Sequence, residues 1–180
     1  MMKQPGSARD NEGFSLVELL ITLAVLSVTL SLALPSFATL MRDTRLTAAT
    51  GDLHAAIFYT RSEAIKRSRR VTICTSGDGQ FCATGVGWHA GWIVFEDANG
   101  DGLRDMGETL LRVGQATAPG MVITGNQPVR NHVSYVATGT TRAVSGALQM
   151  GTITACAGGR ARRIVINAVG RPRVVRDAVC

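Results

Sequence analysis

The chain has 180 residues, of which 46% are hydrophobic, 5% aromatic and 18% charged. That is enough apolar material for one domain with a sizeable core, and too little charge for a solvating tail or a linker protein. Nineteen Lys and Arg against 13 Asp and Glu give a formal charge of +6, with an isoelectric point near 9.8.

The cations are unevenly placed and nearly all arginine. Only Lys3 and Lys66 are lysines, so an anion meeting this chain meets flat, two-pronged guanidinium groups. Residues 61–70 carry a net +4 and residues 160–180 a net +5, which leaves the rest of the chain at −3. The basic character is therefore two patches on a mildly acidic body.

From Phe14 to Leu34 runs a 21-residue apolar stretch whose one charge is Glu18, behind a polar leader holding Lys3, Arg9, Asp10 and Glu12. As a helix it is about 30 Å long, sufficient to span a bilayer. A secretory signal has a shorter apolar run with its cleavage site behind it. Here the processing signature, Gly13-Phe14, lies in front, so the helix is kept. A carboxylate five residues into a membrane helix is costly unless it finds a partner.

Gly13, Phe14 and Glu18 in this spacing, with Pro35 at the twenty-second position after the cut, resemble the signature of the type IV pilin and pseudopilin family. The resemblance implies cleavage after Gly13 by a prepilin peptidase, N-methylation of Phe14, and pairing of Glu18 with a neighbouring subunit's N-terminal amine during assembly. It also implies an inner-membrane precursor with a periplasmic head, later carried into a pilus among other major and minor pilin subunits. The fold it implies is α+β, the type IV pilin fold, with a long N-terminal helix on an antiparallel β-sheet head. Residues 1–13 are then the leader, 14–35 the transmembrane and assembly half of the helix, 36–70 its amphipathic half, and 71–180 the head.

Beyond Pro35, where a kink or short break is expected, Leu46, Ala49, Leu53, Ile57 and Ala64, with Ala56 and Ile65 nearby, form an apolar stripe at helical spacing. The helix is expected to end near Ser68 to Arg70. Lys66, Arg67, Arg69 and Arg70 suit the negative end of its dipole and read as a solvated helix end. From Val71 the texture changes to short β-type runs: 71–75, 92–97, 109–114, 121–125, 132–137, 147–156, 161–169 and 172–179. With 20 glycines between and within them, these predict an antiparallel, turn-rich head. Residues from about 50 to 175 resemble the GspH/FimT branch of minor pilins and pseudopilins, most closely in 55–74, 91–113 and 163–174.

Cys74, Cys82, Cys156 and Cys180, in an exported head, predict two disulfides. Of three possible pairings the favoured one joins Cys74 to Cys82 and Cys156 to Cys180; the spacing matches no common zinc finger. The loop from Asp97 through Asn99, Asp101 and Asp105 to Glu108 fits the D-x-N-x-D-G-x5-E calcium pattern. Its flanks read as strands rather than helices, so a hairpin loop built on Asn-Gly and Asp-Gly turns is the favoured reading and no metal or cofactor is assigned.

In Gly170-Arg171-Pro172-Arg173, glycine permits a turn while proline fixes its own φ and holds Arg171 extended. The two arginines then project to one side, about 6.6 Å apart along the chain. Arg160, Arg162, Arg163 and Arg176 lie on adjoining segments and are expected to widen this edge. The run resembles the GRxR motif of FimT-type minor pilins, which bind DNA during natural transformation; that likeness assigns DNA contact to Gly170, Arg171 and Arg173. With no aromatic after Tyr135, base stacking lacks material. Binding to double-stranded DNA should be sequence-independent and steeply salt-dependent. The rival reading is a structural minor pilin or secretion pseudopilin whose arginines touch neighbouring subunits. No nucleophile elbow, phosphate loop or His-Glu-x-x-His occurs, and His54, His89 and His132 read as surface or edge residues, so no enzymatic role is expected.

Overall fold

A computed structural model describes residues 15–180, apart from the side chains of 32–36, 177 and 178. Two compact units divide the chain, 1–40 and 41–180. Gly13 and Phe14 lie outside the described residues. Helix α1 covers Leu16–Arg67, and its helical assignment passes through Pro35 without a break. In the first unit the apolar side chains from Leu16 to Leu30 are exposed, as is Glu18. Among the described residues no helix is long and apolar enough to cross a membrane. The stretch read from the sequence includes Phe14 and the side chains of 32–34, which lie outside that description.

In the second unit α1 lies on a β head whose eight strands follow the alternation and turn residues of the sequence: β1 Val71–Thr75, β2 Trp92–Glu96, β3 Leu110–Gly114, β4 Met121–Gly125, β5 His132–Tyr135, β6 Gly151–Ala157, β7 Arg160–Ile166 and β8 Pro172–Val179. They form not one sheet but two antiparallel four-stranded sheets, in the order β3-β2-β1-β5 and β4-β6-β7-β8. Both inner faces pack with α1 in one core. Val71, Ile73, Val94, Val133 and Tyr135 enter from the first sheet, Ile123, Ile153, Ile164 and Ile166 from the second, and Leu46, Leu53, Ala56, Ile57 and Ala64 from the helix.

The outer face of the first sheet is covered too. Cys74, Ile93 and Phe95 form a second small core with Cys82 and Leu110, so β1 and β2 are buried on both faces. Disulfides join Cys74 to Cys82 and Cys156 to Cys180.

The helix face differs from the sequence reading in one place. Ile65 is 50% exposed, because it stands about 100° round the helix from Ala64. Glu63 fills the flank instead at 7% exposure, holding Arg67 Nε at 2.6 Å, while Arg67 Nη1 reaches Glu96 at 2.6 Å. Arg67 is thus a bridge from helix to β2 rather than a solvated cation. Its hydrogen bond holds the Glu63 carboxyl below the usual carboxylate range, against the opposing effect of burial.

The helix closes one residue earlier than expected. Ser68 adopts φ +53°, and the Arg69 and Ser68 amides bond back to the Ala64 and Ile65 carbonyls, the pattern of a Schellman cap with serine in the usual glycine place.

A polar fastening ties the two sheets together at the arginine motif. The Tyr135 hydroxyl, on the inner face of β5, donates to the Gly170 carbonyl at 2.8 Å, and a Cβ on Gly170, whose φ is +75°, would come within 3.0 Å of Gly139 O, Thr141 N and Tyr135 Cε1. Replacing Gly170 with Ala should cost about 1–2 kcal/mol for the left-handed backbone alone. Tyr135→Phe should cost about 1–3 kcal/mol by leaving a buried carbonyl unpaired. Urea unfolding of residues 41–180, which contain the whole core, measures both; wild-type midpoints in either variant would contradict this account.

Candidate functional site

The β7–β8 hairpin carries the arginine motif on a four-residue turn, Asn167 to Gly170. Gly170 N–H donates to Asn167 O at 2.9 Å, and Arg171 N–H to Asn167 Oδ1 at 2.8 Å. His54 Nε2, from α1, lies 3.3 Å from the Pro172 carbonyl as its donor. Helix, first sheet and turn together therefore hold the main chain of Gly170 to Pro172. The side chains of Arg171 and Arg173 are left exposed. Burial pushes the Tyr135 phenol well above its ordinary pKa, so it remains a donor throughout the physiological range.

Register decides which arginines share a face. Arg173 pairs with Val165, Arg163 with Val175, and Arg162 with Arg176, with a bulge between Ala161 and Arg162. Residues directly opposite one another point to the same side, and alternate residues to opposite sides. Arg163 and Arg173 therefore lie on the outer face of the second sheet, opposite Ile164 and Ile166 of the core. Beside Arg163 on this face is Thr154, and beside Val165 is Thr152.

Arg160, Arg162 and Arg176 fall on the helix side. There Arg162 Nη2 meets Asp43 Oδ1 at 3.1 Å and Arg160 Nη1 meets it at 3.6 Å. The six arginines are not one edge, as the sequence suggested. One group of Arg163, Arg171 and Arg173 faces outward, and a second group faces α1, where Arg160 and Arg162 are engaged by Asp43, more than a hundred residues earlier in the chain. That partner was invisible in the sequence because only the packing of α1 brings it near.

The acidic loop is a structured turn. Asp97 is buried, and its carboxylate accepts from Thr72 Oγ1 and from the Gly100 and Gly102 amides. Glu108 accepts from the Ala98 and Asp105 amides, and Asn99 Nδ2 donates to Asp101 and Asp105. Most of these donors belong to the loop itself, and Thr72 ties Asp97 to β1. Among the described residues no three His, Cys, Asp or Glu side chains are grouped to hold a metal.

The histidines are more structural than surface. His54 anchors Pro172, His89 Nδ1 accepts the Ile123 amide at 3.2 Å, and His132 packs against Gly102. Gln149, which the sequence gave no reason to single out, accepts from the Ser134 amide and donates to Pro128 and His132 carbonyls, pinning β5.

A long helix laid on antiparallel sheets, with the disulfide-closed loop and turn-rich connections described above, defines the class of type IV pilin-like subunits, the minor pilins and pseudopilins. Residues 49–170 match the family model described as type II transport protein GspH, and residues 8–34 match that of the prokaryotic N-terminal methylation motif. The first covers well over half the chain, and the chain belongs to the GspH family. Among solved structures, the type IV minor pilin FimU of Pseudomonas aeruginosa strain PAO1 is similar in two crystal forms. In one it has 22% identity and a TM-score of 0.54 over 76% of this chain and 90% of that one. In the other the values are 22%, 0.53, 72% and 91%. At that identity the likeness is one of fold. No functionally curated protein matches the chain significantly.

Burial lowers the His132 pKa, with Asp97 opposing and Arg70 adding to the shift. The folded head thus binds fewer protons here than the unfolded chain, so its stability is complete above about pH 6.5 and falls as pH drops below that value. Unfolding free energies of residues 41–180 between pH 7 and 5 should decline, and His132→Gln should flatten the decline. An equal slope in the variant would place the titration elsewhere.

Proposed function

We propose that this chain is a DNA-capturing minor pilin of the FimT type, presenting Arg171 and Arg173, with Arg163 beside them, to the phosphates of double-stranded DNA. The observation that carries the reading is the fastening of Gly170 to Pro172 from three elements while both flanking guanidinium groups stay exposed. A guanidinium fork suits phosphate oxygens, and a rigid main chain reduces the ordering cost of binding. The outer face offers arginine and threonine but no aromatic platform, which favours backbone contact without base readout. Arg160, Arg162 and Arg176 contribute field rather than contact.

The N-terminal half fits the same role. In this reading Gly13 is the cleavage point for a prepilin peptidase, Phe14 the methylated residue, and Glu18 the partner of a neighbouring subunit's amine. The precursor resides in the inner membrane with its head in the periplasm, and the mature subunit sits among other pilins near a pilus tip. Intact-mass measurement of the protein from its native membrane should show loss of residues 1–13 and one added methyl group; an unprocessed mass would overturn this part.

A second reading, a structural subunit that primes a pilus or secretion pseudopilus, is favoured by one observation. Phe81, Leu103 and Met106, the last 88% exposed, stand on two loops tied by Arg104, whose Nη1 donates to Gln80 O at 2.9 Å and whose guanidinium lies 5.7 Å from the Phe81 ring centre. A rigid apolar patch of this kind suits a neighbouring head.

Titration of residues 41–180 with a random-sequence duplex across a salt series separates the two. The DNA reading predicts measurable binding at low salt. Arg171→Gln with Arg173→Gln should weaken it about tenfold or more and lower the log–log salt slope by about 2. No binding at low salt, or an unchanged slope, would leave the structural reading standing.

A further inference from the structure

We infer that the membrane-proximal end of the head carries a binding site for the phosphate of an anionic phospholipid, built on Arg42 and Arg45. Three observations converge on it. First, Arg42 and Arg45 are three residues apart on α1, hence neighbours on its surface. Both are exposed, and neither has an acidic partner among the described residues. The acid between them, Asp43, is already engaged by Arg160 and Arg162. Two unengaged guanidinium groups side by side form a two-armed clamp for a phosphate.

Second, the pair lines a groove of about 380 Å³ with Pro119, Gly120, Met121 and Ala157. Arg45, Ala118 and Met121 also line an adjoining cleft of about 430 Å³ that runs on past Leu53 and Trp92 to Asp52 and Arg112. Within the smaller groove, two cations at the mouth with Ala118, Pro119, Met121 and Ala157 behind them are the pattern of an amphiphile's site, not of a nucleic acid's. A duplex offers phosphates but no apolar segment to follow them.

Third, the position along the chain is right. The apolar surface of α1 continues through Phe37, Leu40 and Met41, all exposed, and stops at Arg42. Arg45 is only about 6 Å of helical rise beyond Met41, which is close to the depth of one headgroup layer. Cations immediately following an apolar segment are drawn to anionic lipid. The inference rests on the reading that this helix is membrane-embedded in the precursor. It assigns the two arginines a task there, holding the head against the bilayer until assembly withdraws the subunit.

The test uses the full-length protein in dodecyl maltoside micelles, titrated with phosphatidylglycerol or phosphatidylcholine and read by native mass spectrometry. Carbonate extraction of the source membranes reports separately whether the chain is embedded at all, so failure of that reading is distinguished from failure of the site. The expected result is preferential retention of phosphatidylglycerol, weakened about tenfold or more in Arg42→Gln with Arg45→Gln and unchanged in Arg171→Gln with Arg173→Gln. Displacement of the lipid by millimolar inorganic phosphate would show a free-anion site and overturn the assignment. Equal retention of the two lipids, or an unaltered double variant, would overturn it as well, and so would displacement by duplex DNA.

Discussion

The constraint on which the head depends is the burial of one stripe of α1 against the inner faces of both sheets. Leu46, Leu53, Ile57 and Ala64 share a single core with strands from each, at on the order of 1.5–3 kcal/mol for each large side chain fully buried. Once that stripe is inside, the second sheet has one face turned to the helix and one to solvent. Every residue on β7 and β8 is assigned a side by the pleat. Arg162 and Arg160 meet Asp43 on the helix side, while Arg163 and Arg173 face outward. The separation of a helix-facing arginine group from an outward-facing one follows from packing rather than from the arginines themselves.

The same core fixes the motif's shape. Tyr135 is fully buried and spans from the first sheet to the carbonyl of Gly170, and His54 reaches Pro172 from the helix. A glycine is needed at 170 because its backbone is left-handed and three atoms of other segments stand where a Cβ would go. The turn is thus set by long-range contacts, and the two exposed guanidinium groups inherit its rigidity. A charged hairpin held only by its own strand pairing would lose more conformational freedom on meeting a ligand.

Much of the fold was legible in the sequence because period and punctuation are local signals. Short β-type runs bounded by glycine, asparagine and aspartate placed the eight strands. What was not legible was tertiary. Nothing local divides eight antiparallel strands into two sheets. The bulge between Ala161 and Arg162 alters which β8 residues oppose which arginines, so counting along the sequence merged two groups into one edge. Ile65 was misread for a related reason, since an isoleucine can stand beside the buried stripe while a paired glutamate fills its flank. The Asp97 loop matched a metal pattern in composition, and in the fold its carboxylates accept from turn amides, from Asn99 and from the Thr72 hydroxyl. Composition records which atoms are present and not which are already bonded.

Membership of the GspH family and the pilin fold fix the kind of molecule this is. In the proposed function the outward arginines meet DNA and the helix-facing ones do not. Arginine footprinting tests it most directly: residues 41–180 are modified with phenylglyoxal with and without a random-sequence duplex at low salt, and each site is quantified by peptide mass spectrometry. The account predicts DNA-dependent protection at Arg171 and Arg173, and reactivity at Arg160 and Arg162 that is the same with and without DNA. Protection at Arg160 and Arg162, or equal protection at every arginine, would contradict it.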